Sequence, residues 1–478
     1  MNSIIQIKNF LEIPYDELEE KNLEAKEKRV TTPPEKLEAE YKAYLSKEKR
    51  IKAVTLCFTD IEGRFHMLDY DKKFLLSSAD NLTFDGSSVR GFTQQSESDL
   101  RLDVDWGSIL WLPSDLFGPG KVIMFANVFD RDKKQYESDF RGLLQKHAND
   151  LKSKDGLTAY ASAEIEGFLI EGTNAEQNYD ENKGFKLIST GGYYHSLPLD
   201  KLRQFIDTCA EAQRAMGFAN EKDHPEVAPS QFEMNFSYTD VVRVADQIQL
   251  YKLVCRQVAN TMGMTATFLP KPFMGINGSG MHTNFSLSKE GENIFYDKNG
   301  KDGLSNIAWD FIYRLLNHAP EMCLIFNSSV NAYRRLDPHF EAPNQIKVSS
   351  IDRGSMIRIP VGNKKSARIE VRSVSPDTNP YLWLYVLIKV GMTGKKLTKN
   401  VDKRERLRFL PRTITDALKL FKASDFIGEI IGETNKEKFA SYKQLAADRS
   451  PTELGTRVKN TEVIYHHDIT NQALWNTF

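Results

Sequence analysis

The pattern of apolar and polar positions divides this chain into a strand-rich first part and a mixed second part. Residues 53–58 are mostly apolar, as buried strands are, and short strand patterns continue to residue 126. From residue 133 onwards, longer strands are interleaved with helical patterns, which lie near residues 138–153, 199–216, 240–262, 303–318 and 379–393. The pattern predicts an α+β protein in which a small β-rich domain precedes a larger domain.

The segment before the first strand differs from the rest of the chain in composition. Residues 1–32 are rich in charge with scattered apolar positions, and we expect this segment to be a loose tail or an extra surface helix and not a regulatory segment. Residues 32–35 form a capping-box pattern with proline at the first helical position, so we expect a helix to about residue 49. The predicted organisation is an extension over residues 1–32, a β-rich domain over 33–132 and a larger domain over 133–478.

A glycine-dense turn at residues 275–280 leads into a strand with two chemically different faces. His282, Asn284 and Ser286 lie on one face, and apolar side chains alternate with them on the other. Nucleotide and metal sites are often built in this way, because glycine lets the backbone approach a ligand closely. Alone, the segment fits an ordinary hairpin equally well.

Two acidic segments strengthen the hypothesis of a site. Glu164 and Glu166 share a strand face between apolar flanks, where burial would require a neutralising partner such as a divalent cation. A solvated edge strand is the competing interpretation. Glu226 and Glu233 lie in the proline-containing segment 224–236, which taken alone favours an exposed polar turn.

Arginines cluster in the following segments. Arg368, Glu370 and Arg372 alternate on one strand face, which fits either a cross-strand salt-bridge ladder or a pair of guanidinium groups presented to phosphate. Residues 341–360 carry Arg353 and Arg358 in a pattern that predicts a mobile flap followed by a strand. A substrate made of metal and phosphate would explain why acids and arginines converge.

Composition and charge exclude several other classes. The net charge of −1 favours neither nucleic acid nor an anionic membrane, and four widely spaced cysteines fit free thiols in a reducing compartment. No signal-peptide pattern and no membrane-spanning apolar run is present, so we expect a cytoplasmic protein. Neither a Walker A pattern nor a Gly-x-Gly-x-x-Gly fingerprint occurs, so ATP would need another kind of site.

Taken in order, these segments resemble the type I glutamine synthetases (glutamate–ammonia ligases). The resemblance covers about residues 35 to 400 and rests on five motifs, which lie at 85–88, 164–166, 226–233, 277–282 and 331–373. It implies a β-grasp-like N-terminal domain followed by a large catalytic domain with a curved antiparallel sheet flanked by helices. It also implies a role in nitrogen metabolism and glutamine biosynthesis.

The resemblance implies two metal sites for Mg²⁺ or Mn²⁺. One metal would be held by Glu166, Glu226 and Glu233, and the other by Glu164, His282 and Glu370. Oxygen-rich ligand sets of this kind suit hard divalent cations.

The resemblance also implies the remaining site residues. Glutamate would be bound by Asn277, Gly278, Arg335 and Arg372. ATP and its transferred phosphoryl group would be bound by Glu221, Ser286, Arg353, Arg358, Lys365 and Arg368. The ammonium pocket would consist of Asp85, Ser88, Tyr193 and Glu226, and the catalytic residues would be Asp85 as proton acceptor, Glu341 in the flap and Arg353.

The implied reaction ligates ammonia to the γ-carboxylate of L-glutamate through γ-glutamyl phosphate, with ATP as co-substrate. Asp85 would reach the site of a neighbouring subunit, so the resemblance implies a homo-oligomer, a dodecamer of two hexameric rings. One alternative is a γ-glutamyl-amine ligase of the polyamine type, although the ammonium pocket is complete in this sequence. The other is a non-catalytic regulatory homologue, which only the altered flap run at 351–355 favours.

Overall fold

The computed structural model describes residues 9–93, 98–337, 342–397, 407–449 and 457–464. Its N-terminal domain contains a six-stranded sheet in the order β2-β1-β6-β4-β3, with β5 beside β6 and the central pair β1–β6 parallel. The elements are α1 (Tyr15–Thr31), α2 (Pro34–Lys47), β1 (Ala53–Thr59), β2 (Phe65–Asp71), α3 (Lys72–Ser78), β3 (Leu82–Asp85), β4 (Asp99–Val104), β5 (Leu110–Trp111), α4 (Ser114–Phe117) and β6 (Val122–Phe129). The predicted small β-rich domain is confirmed.

Helix α2 forms where it was predicted, but its start differs from the prediction. Pro33 is the N-cap residue and no side chain caps the helix, so the predicted capping box is wrong. Thr32 instead ends α1, where its backbone N–H donates to the carbonyl of Lys28. Pro34 at the first helical position suits the next helix, because proline lacks the N–H that would be unpaired there.

Helix α1 makes the charged extension part of the folded core. Leu18, Asn22 and Ala25 recur at helical spacing on one face and are buried. The Asn22 side chain donates to the carbonyls of Trp111 (3.0 Å) and Ala215 (2.8 Å) and accepts from the Trp111 N–H (3.0 Å). Since Trp111 lies in the N-terminal domain and Ala215 in the larger one, α1 connects both domains.

The larger domain is built on a ten-stranded sheet in the order β14-β15-β16-β12-β7-β9-β8, with β10 and β11 beside β7 and β13 beside β12. All of its pairs are antiparallel except β14–β15. The strands are β7 (Leu157–Glu171), β8 (Asn220–Pro225), β9 (Gln231–Phe236), β10 (Thr239–Asp240), β11 (Met264–Thr267), β12 (Met281–Lys289), β13 (Glu292–Asn293), β14 (Gln345–Ser349), β15 (Ser355–Arg358) and β16 (Ile369–Val371). This sheet confirms the expected α+β architecture.

Helices pack against this sheet and cover its core. They are α5 (Phe140–Asp150), α6 (Lys201–Ala215), α7 (Val241–Thr261), α8 (Asn306–Phe326), α9 (Val330–Arg335), α10 (Pro380–Thr393), α11 (Ile414–Ala423), α12 (Asp425–Ile431), α13 (Glu433–Asp448) and α14 (Asn460–Ile464). Helix α8 continues beyond the predicted end at residue 318, because Pro320 is accommodated inside it and the following apolar turn is buried. Among the described helices, none has the length and apolar character needed to cross a membrane.

A buried ionic network joins the two domains. Arg141, which is fully buried, donates to both carboxylate oxygens of Asp246 (2.9 Å each) and to Asp105 (2.8 Å) and Asn127 (2.8 Å). The Tyr381 hydroxyl donates to Asp246 at 2.7 Å. Burial opposes the charge on Asp105, but neighbouring guanidinium groups lower its pKa to about 2. The network fixes the N-terminal sheet against the helices that support the ten-stranded sheet.

Candidate active site

The register of the large sheet places the acidic residues on one face. In the centre, β7 puts Glu164 opposite His282 of β12 and opposite Asn235 of β9. It also puts Glu166 opposite Glu233. Directly paired residues of antiparallel strands point to the same face, so these side chains converge. Because β7 has a neighbour on each side, a solvated edge strand is excluded.

The three predicted ligands of one metal form a compact group. Within the described ranges, Glu164, His282 and Glu370 are the His, Cys, Asp and Glu side chains whose donor atoms all lie within 4.8 Å of one another. The Nδ1 atom of His282 lies 3.4 Å from Glu164 and 3.9 Å from Glu370. Glu370 is fully buried and accepts from Arg358 (2.7 Å) and Arg372 (2.8 Å). Two carboxylates and one imidazole suit a divalent cation.

The sequence left two interpretations open for the strand face of Arg368, Glu370 and Arg372, namely a salt-bridge ladder or part of a binding site. In the structure, Glu370 fits both. Glu370 pairs with Arg358 and Arg372, and it is also a member of the compact donor group. Arg368 turns to another partner, since its Nε donates to the Asn284 side chain at 2.8 Å.

The other three predicted metal ligands line the same cavity. The ring nitrogens of His224 are 3.6 Å from Glu226 and 3.6 Å from Glu233, and Glu166 lies 3.8 Å from Nε2 of His282. Burial, together with the charge of Glu166, raises the pKa of Glu226 to about 8, and the same causes raise that of Glu233. Raised pKa values show that these clustered carboxylates lack a neutralising charge. A bound cation would supply that charge and stabilise their ionised form.

Segment 224–236 is therefore not the exposed turn that its local pattern favours. It folds as the hairpin of β8 and β9, in which Glu233 is buried. Ser230 adopts a left-handed backbone conformation (φ 64°) in the turn, and its hydroxyl accepts from the N–H groups of Ile188 and Ser189. Pro225 and Pro229, which suggested a loop in the sequence, thus lie in and beside the tight turn that joins β8 to β9.

The predicted glutamate-binding residues all line this cavity, which has a volume of about 270 Å³. The set is Asn277, Gly278, Arg335 and Arg372. Arg335 is buried and donates to the backbone carbonyls of Val374 (3.1 Å) and Arg372 (2.9 Å), and burial lowers its pKa to about 10. Gly278 approaches Pro270 so closely that a Cβ would lie 2.4 Å from its carbonyl oxygen, so only glycine fits there.

The predicted nucleotide residues divide between this cavity and a second one, also of about 270 Å³. Glu221, Ser286, Lys365 and Arg368 line the second cavity, and Arg353 and Arg358 line the first. The second cavity also holds Tyr160 and Tyr238, whose rings meet edge to face at 5.7 Å. It therefore offers aromatic surface as well as polar groups.

The predicted ammonium pocket is only half assembled in one chain. Tyr193 and Glu226 line the first cavity, but Asp85 and Ser88 line neither cavity. Asp85 lies exposed at the end of β3, where the hydroxyls of Ser87 (2.6 Å) and Ser88 (2.9 Å) donate to it and lower its pKa. Glu341, the predicted flap acid, lies outside the described residues.

The unusual acid in the flap run is neutralised locally. Asp352 forms an ion pair with Lys347 at 2.6 Å and accepts from the backbone N–H of Gly354 at 2.7 Å. Its neighbour Arg353 is exposed and lines the first cavity. The sequence departure at this turn therefore leaves the arginine free to face the cavity.

Several residues of the site were not assigned from the sequence. Asn284 donates to Glu164 at 3.0 Å, and the Gln231 amide donates to Glu166 (3.3 Å) and to the carbonyl of Gly278 (3.1 Å). Lys222 and Asn235 line both cavities. The polar face of β12 already contained Asn284, but no local pattern distinguishes Gln231 or Lys222 from surface residues.

Comparisons with known proteins agree with this architecture. The family model of the glutamine synthetase catalytic domain matches residues 137–458, and that of the glutamine synthetase β-grasp domain matches residues 50–131. Glutamine synthetase of Thermus thermophilus is 36% identical over 425 residues, which are 84% of this chain and 93% of that protein. Glutamine synthetase of Thermotoga maritima is 34% identical over 432 residues, 87% of this chain and 96% of that protein.

Solved structures show the same fold. The glutamine synthetase of Plasmodium falciparum aligns with a TM-score of 0.76 at 21% identity, over 86% of this chain and 95% of that one. The apo form of GmaS aligns with a TM-score of 0.74 at 25% identity, over 86% of this chain and 97% of that one.

Fold, site and matches together define a two-domain ligase in which a β-grasp domain precedes a catalytic sheet. The chain belongs to the glutamine synthetase family.

Proposed function

We propose that this chain ligates ammonia to the γ-carboxylate of L-glutamate, with ATP as the co-substrate and L-glutamine, ADP and phosphate as products. One observation supports this most directly: the cavity that holds the acidic cluster and the Asn277 turn is joined to a second cavity of equal size. A reaction between a phosphate donor and a carboxylate needs two adjoining compartments of this kind. The route would pass through γ-glutamyl phosphate, because a free carboxylate is a poor acyl donor.

The donor set would hold two divalent cations, Mg²⁺ or Mn²⁺. One would be held by Glu164, His282 and Glu370, and the other by Glu166, Glu226 and Glu233. When bound, such cations supply charge neutralisation and polarise phosphoryl oxygens.

Arginines of the first cavity would bind the anionic groups of the reaction. Arg335 would bind the α-carboxylate of glutamate, with Asn277 and Gly278 on its amino group. Arg353, Arg358 and Arg372 would stabilise the charge on the transferred phosphoryl group, since fixed cations in a secluded site need little reorganisation. Glu341, from outside the described residues, would close over the intermediate and exclude water.

The second cavity would bind ATP. Glu221, Ser286, Lys365 and Arg368 would surround the nucleotide, and the rings of Tyr160 and Tyr238 offer a stacking surface for its base. The cavity opens toward Glu164, so the phosphates would point to the metal ligands.

The acceptor would be bound in an acidic pocket that two subunits complete. Tyr193 and Glu226 lie in the first cavity, whereas Asp85 and Ser88 are on the exposed end of β3. A neighbouring copy would have to supply the latter pair, so the active form would be a homo-oligomer, for which we propose a dodecamer. Asp85 would take a proton from ammonium and so generate the nucleophile.

A γ-glutamyl-amine ligase is the second candidate. Tyr193 is 46% exposed in the single chain, so the size of the acceptor pocket, and with it the choice between ammonium and a larger amine, would be set by the neighbouring copy. The similarity to GmaS shows that the chain also resembles a relative that is not named glutamine synthetase.

The deciding experiment measures phosphate release by the purified protein with ATP, Mg²⁺ and glutamate. Ammonium and a panel of primary amines are compared as acceptors, and the amide product is identified by mass. Ammonium-dependent release with glutamine as the product is expected. Release with an amine but not with ammonium would establish the second candidate, and no release with any acceptor would refute both in favour of a non-catalytic homologue.

A further inference from the structure

Of the residues that the structure describes, four line both cavities and therefore lie at the passage between them. They are Glu164, Lys222, Asn235 and Arg368. Glu164 and Arg368 are already bound to neighbours, since Asn284 lies between them and contacts both. Lys222 and Asn235 have no role in the function proposed above.

Lys222 is placed to reach the passage. It lies on β8 opposite Asn235 of β9, which in turn lies opposite Glu164 of β7. Neighbouring strands are about 4.8 Å apart and an extended lysine side chain reaches about 6 Å, so its ammonium group can lie above β9, close to the Glu164 row. Lys222 is exposed, and its ammonium group makes no hydrogen bond or ion pair with any residue that the structure describes.

Asn235 adds an incomplete polar contact at the same place. Its Nδ2 atom donates to Glu233 at 2.8 Å, which leaves Oδ1 on the opposite side of the amide. This Oδ1 is buried and has no hydrogen-bond partner among the described residues. The residue opposite Lys222 in the strand pair therefore carries a buried acceptor without a partner among the described residues, although buried polar atoms normally have one.

We propose that Lys222 is a nucleotide-binding residue that contacts the terminal phosphates of ATP in the passage, with Asn235 Oδ1 orienting its ammonium group. The inference rests on the proposed function, because it takes the second cavity to hold ATP. The phosphates would lie beside Glu164 and near Glu233, so a cation that no carboxylate has already neutralised is needed. A lysine on a flexible stem supplies such a point charge. Arg368 keeps its charge, but its Nε and Nη1 are bound to the Asn284 side chain and the Ser366 carbonyl, so only part of its guanidinium group can turn to a phosphate.

The test compares the binding of Mg-ATP, Mg-ADP and adenosine by titration calorimetry to the full-length protein. Lys222→Met is expected to weaken Mg-ATP about tenfold, the effect of losing one charge-assisted hydrogen bond, while adenosine binding stays unchanged. Lys222→Arg should retain most of the affinity. Lys364→Met is the matched control, since Lys364 pairs with Glu292 at 2.6 Å and lines neither cavity but removes a charge from the same region.

Each outcome discriminates. If the wild type binds Mg-ATP and Lys222→Met binds it within a factor of two of the wild type, the inference is wrong and the proposed function stands. If Lys222→Met weakens adenosine as much as Mg-ATP, the lysine shapes the cavity and does not contact phosphate, which also overturns it. If the wild type binds no nucleotide, both proposals fail together. A thermal melt of each variant verifies folding, which the exposed position of Lys222 should leave intact.

Discussion

A single substitution at Asn22 should weaken the docking of helix α1, and with it the N-terminal extension, onto the rest of the protein. Its side chain is fully buried and makes three hydrogen bonds to backbone groups, two in β5 and one at the end of α6. Asn22→Ala removes all three and leaves backbone groups of Trp111 and Ala215 without partners.

The expected magnitude follows from these bonds. Each is worth about 1 kcal/mol net, so their loss should weaken the docking of α1 by about 3 kcal/mol, and by about 5 kcal/mol if water does not reach the orphaned groups. A free-energy change of about 3 kcal/mol corresponds to a local opening equilibrium that is raised about 100-fold. Asn22→Leu keeps most of the volume but loses the same bonds, so it should behave like Asn22→Ala.

Hydrogen–deuterium exchange over residues 15–31 is the suitable assay, because a protein with two domains need not unfold in one step. The amides of α1 should exchange about 100-fold faster in Asn22→Ala than in the wild type. Leu23→Ala is the matched control, since Leu23 is 45% exposed on the same helix. Equal protection of α1 in the Asn22 and Leu23 variants would refute the view that this side chain holds the extension in place.

Four further outcomes are expected. Glu370→Gln should reduce Mn²⁺ affinity at least tenfold in a titration, because it removes a charge at the centre of the donor group; unchanged affinity would remove it from the ligand set. Asn284→Ala should lower metal affinity about tenfold, because it removes the hydrogen bond that orients the ligand Glu164. An unchanged affinity in the same titration would refute this role of Asn284. Asp85→Ala should lower ammonium-dependent turnover by orders of magnitude with nucleotide binding intact, and co-expression with Glu233→Gln should restore part of the turnover if subunits share sites. Burial lowers the pKa of His147 to about 4, so the unfolded state binds more protons between about pH 4 and pH 6.5 and stability should fall on acidification through that window; His147→Gln should flatten the decline in urea midpoint between about pH 7.5 and about pH 5.

Local patterns were sufficient for the elements whose side chains alternate clearly. The strand that begins at Met281 and the face shared by Glu164 and Glu166 are present as predicted. The buried stripe of α1 was also visible in principle, because Leu18, Asn22 and Ala25 are spaced by four and three residues. It was missed because charged residues surround it and its central residue, Asn22, is polar. Burial of an asparagine can be predicted only when its hydrogen-bond partners elsewhere in the chain are known.

Other parts of the site depend on pairings between distant segments. The hairpin around Glu226 was expected to be exposed, because prolines and charges are typical of loops and the burying strand β7 is remote in sequence. Only the family resemblance brought the six metal ligands together, and the compact group that the structure shows contains three of them. Lys222 and Asn235 could not be identified, since their importance arises from the register of β8, β9 and β7.

The partners of the N-terminal segments have a consequence for synthesis on the ribosome. Asn22 cannot form its hydrogen bond to Ala215 until that residue, 193 positions later, has been synthesised. Buried Glu62 likewise cannot form its ion pair with Lys443 until another 381 residues have followed it. Until then Glu62 lacks a cation that, with Arg90, holds its pKa well below the usual range. The first domain to emerge is therefore the last to be completed. A nascent chain that stops before α13 would carry a poorly neutralised charge at its domain junction, a defect that quality-control proteases could recognise.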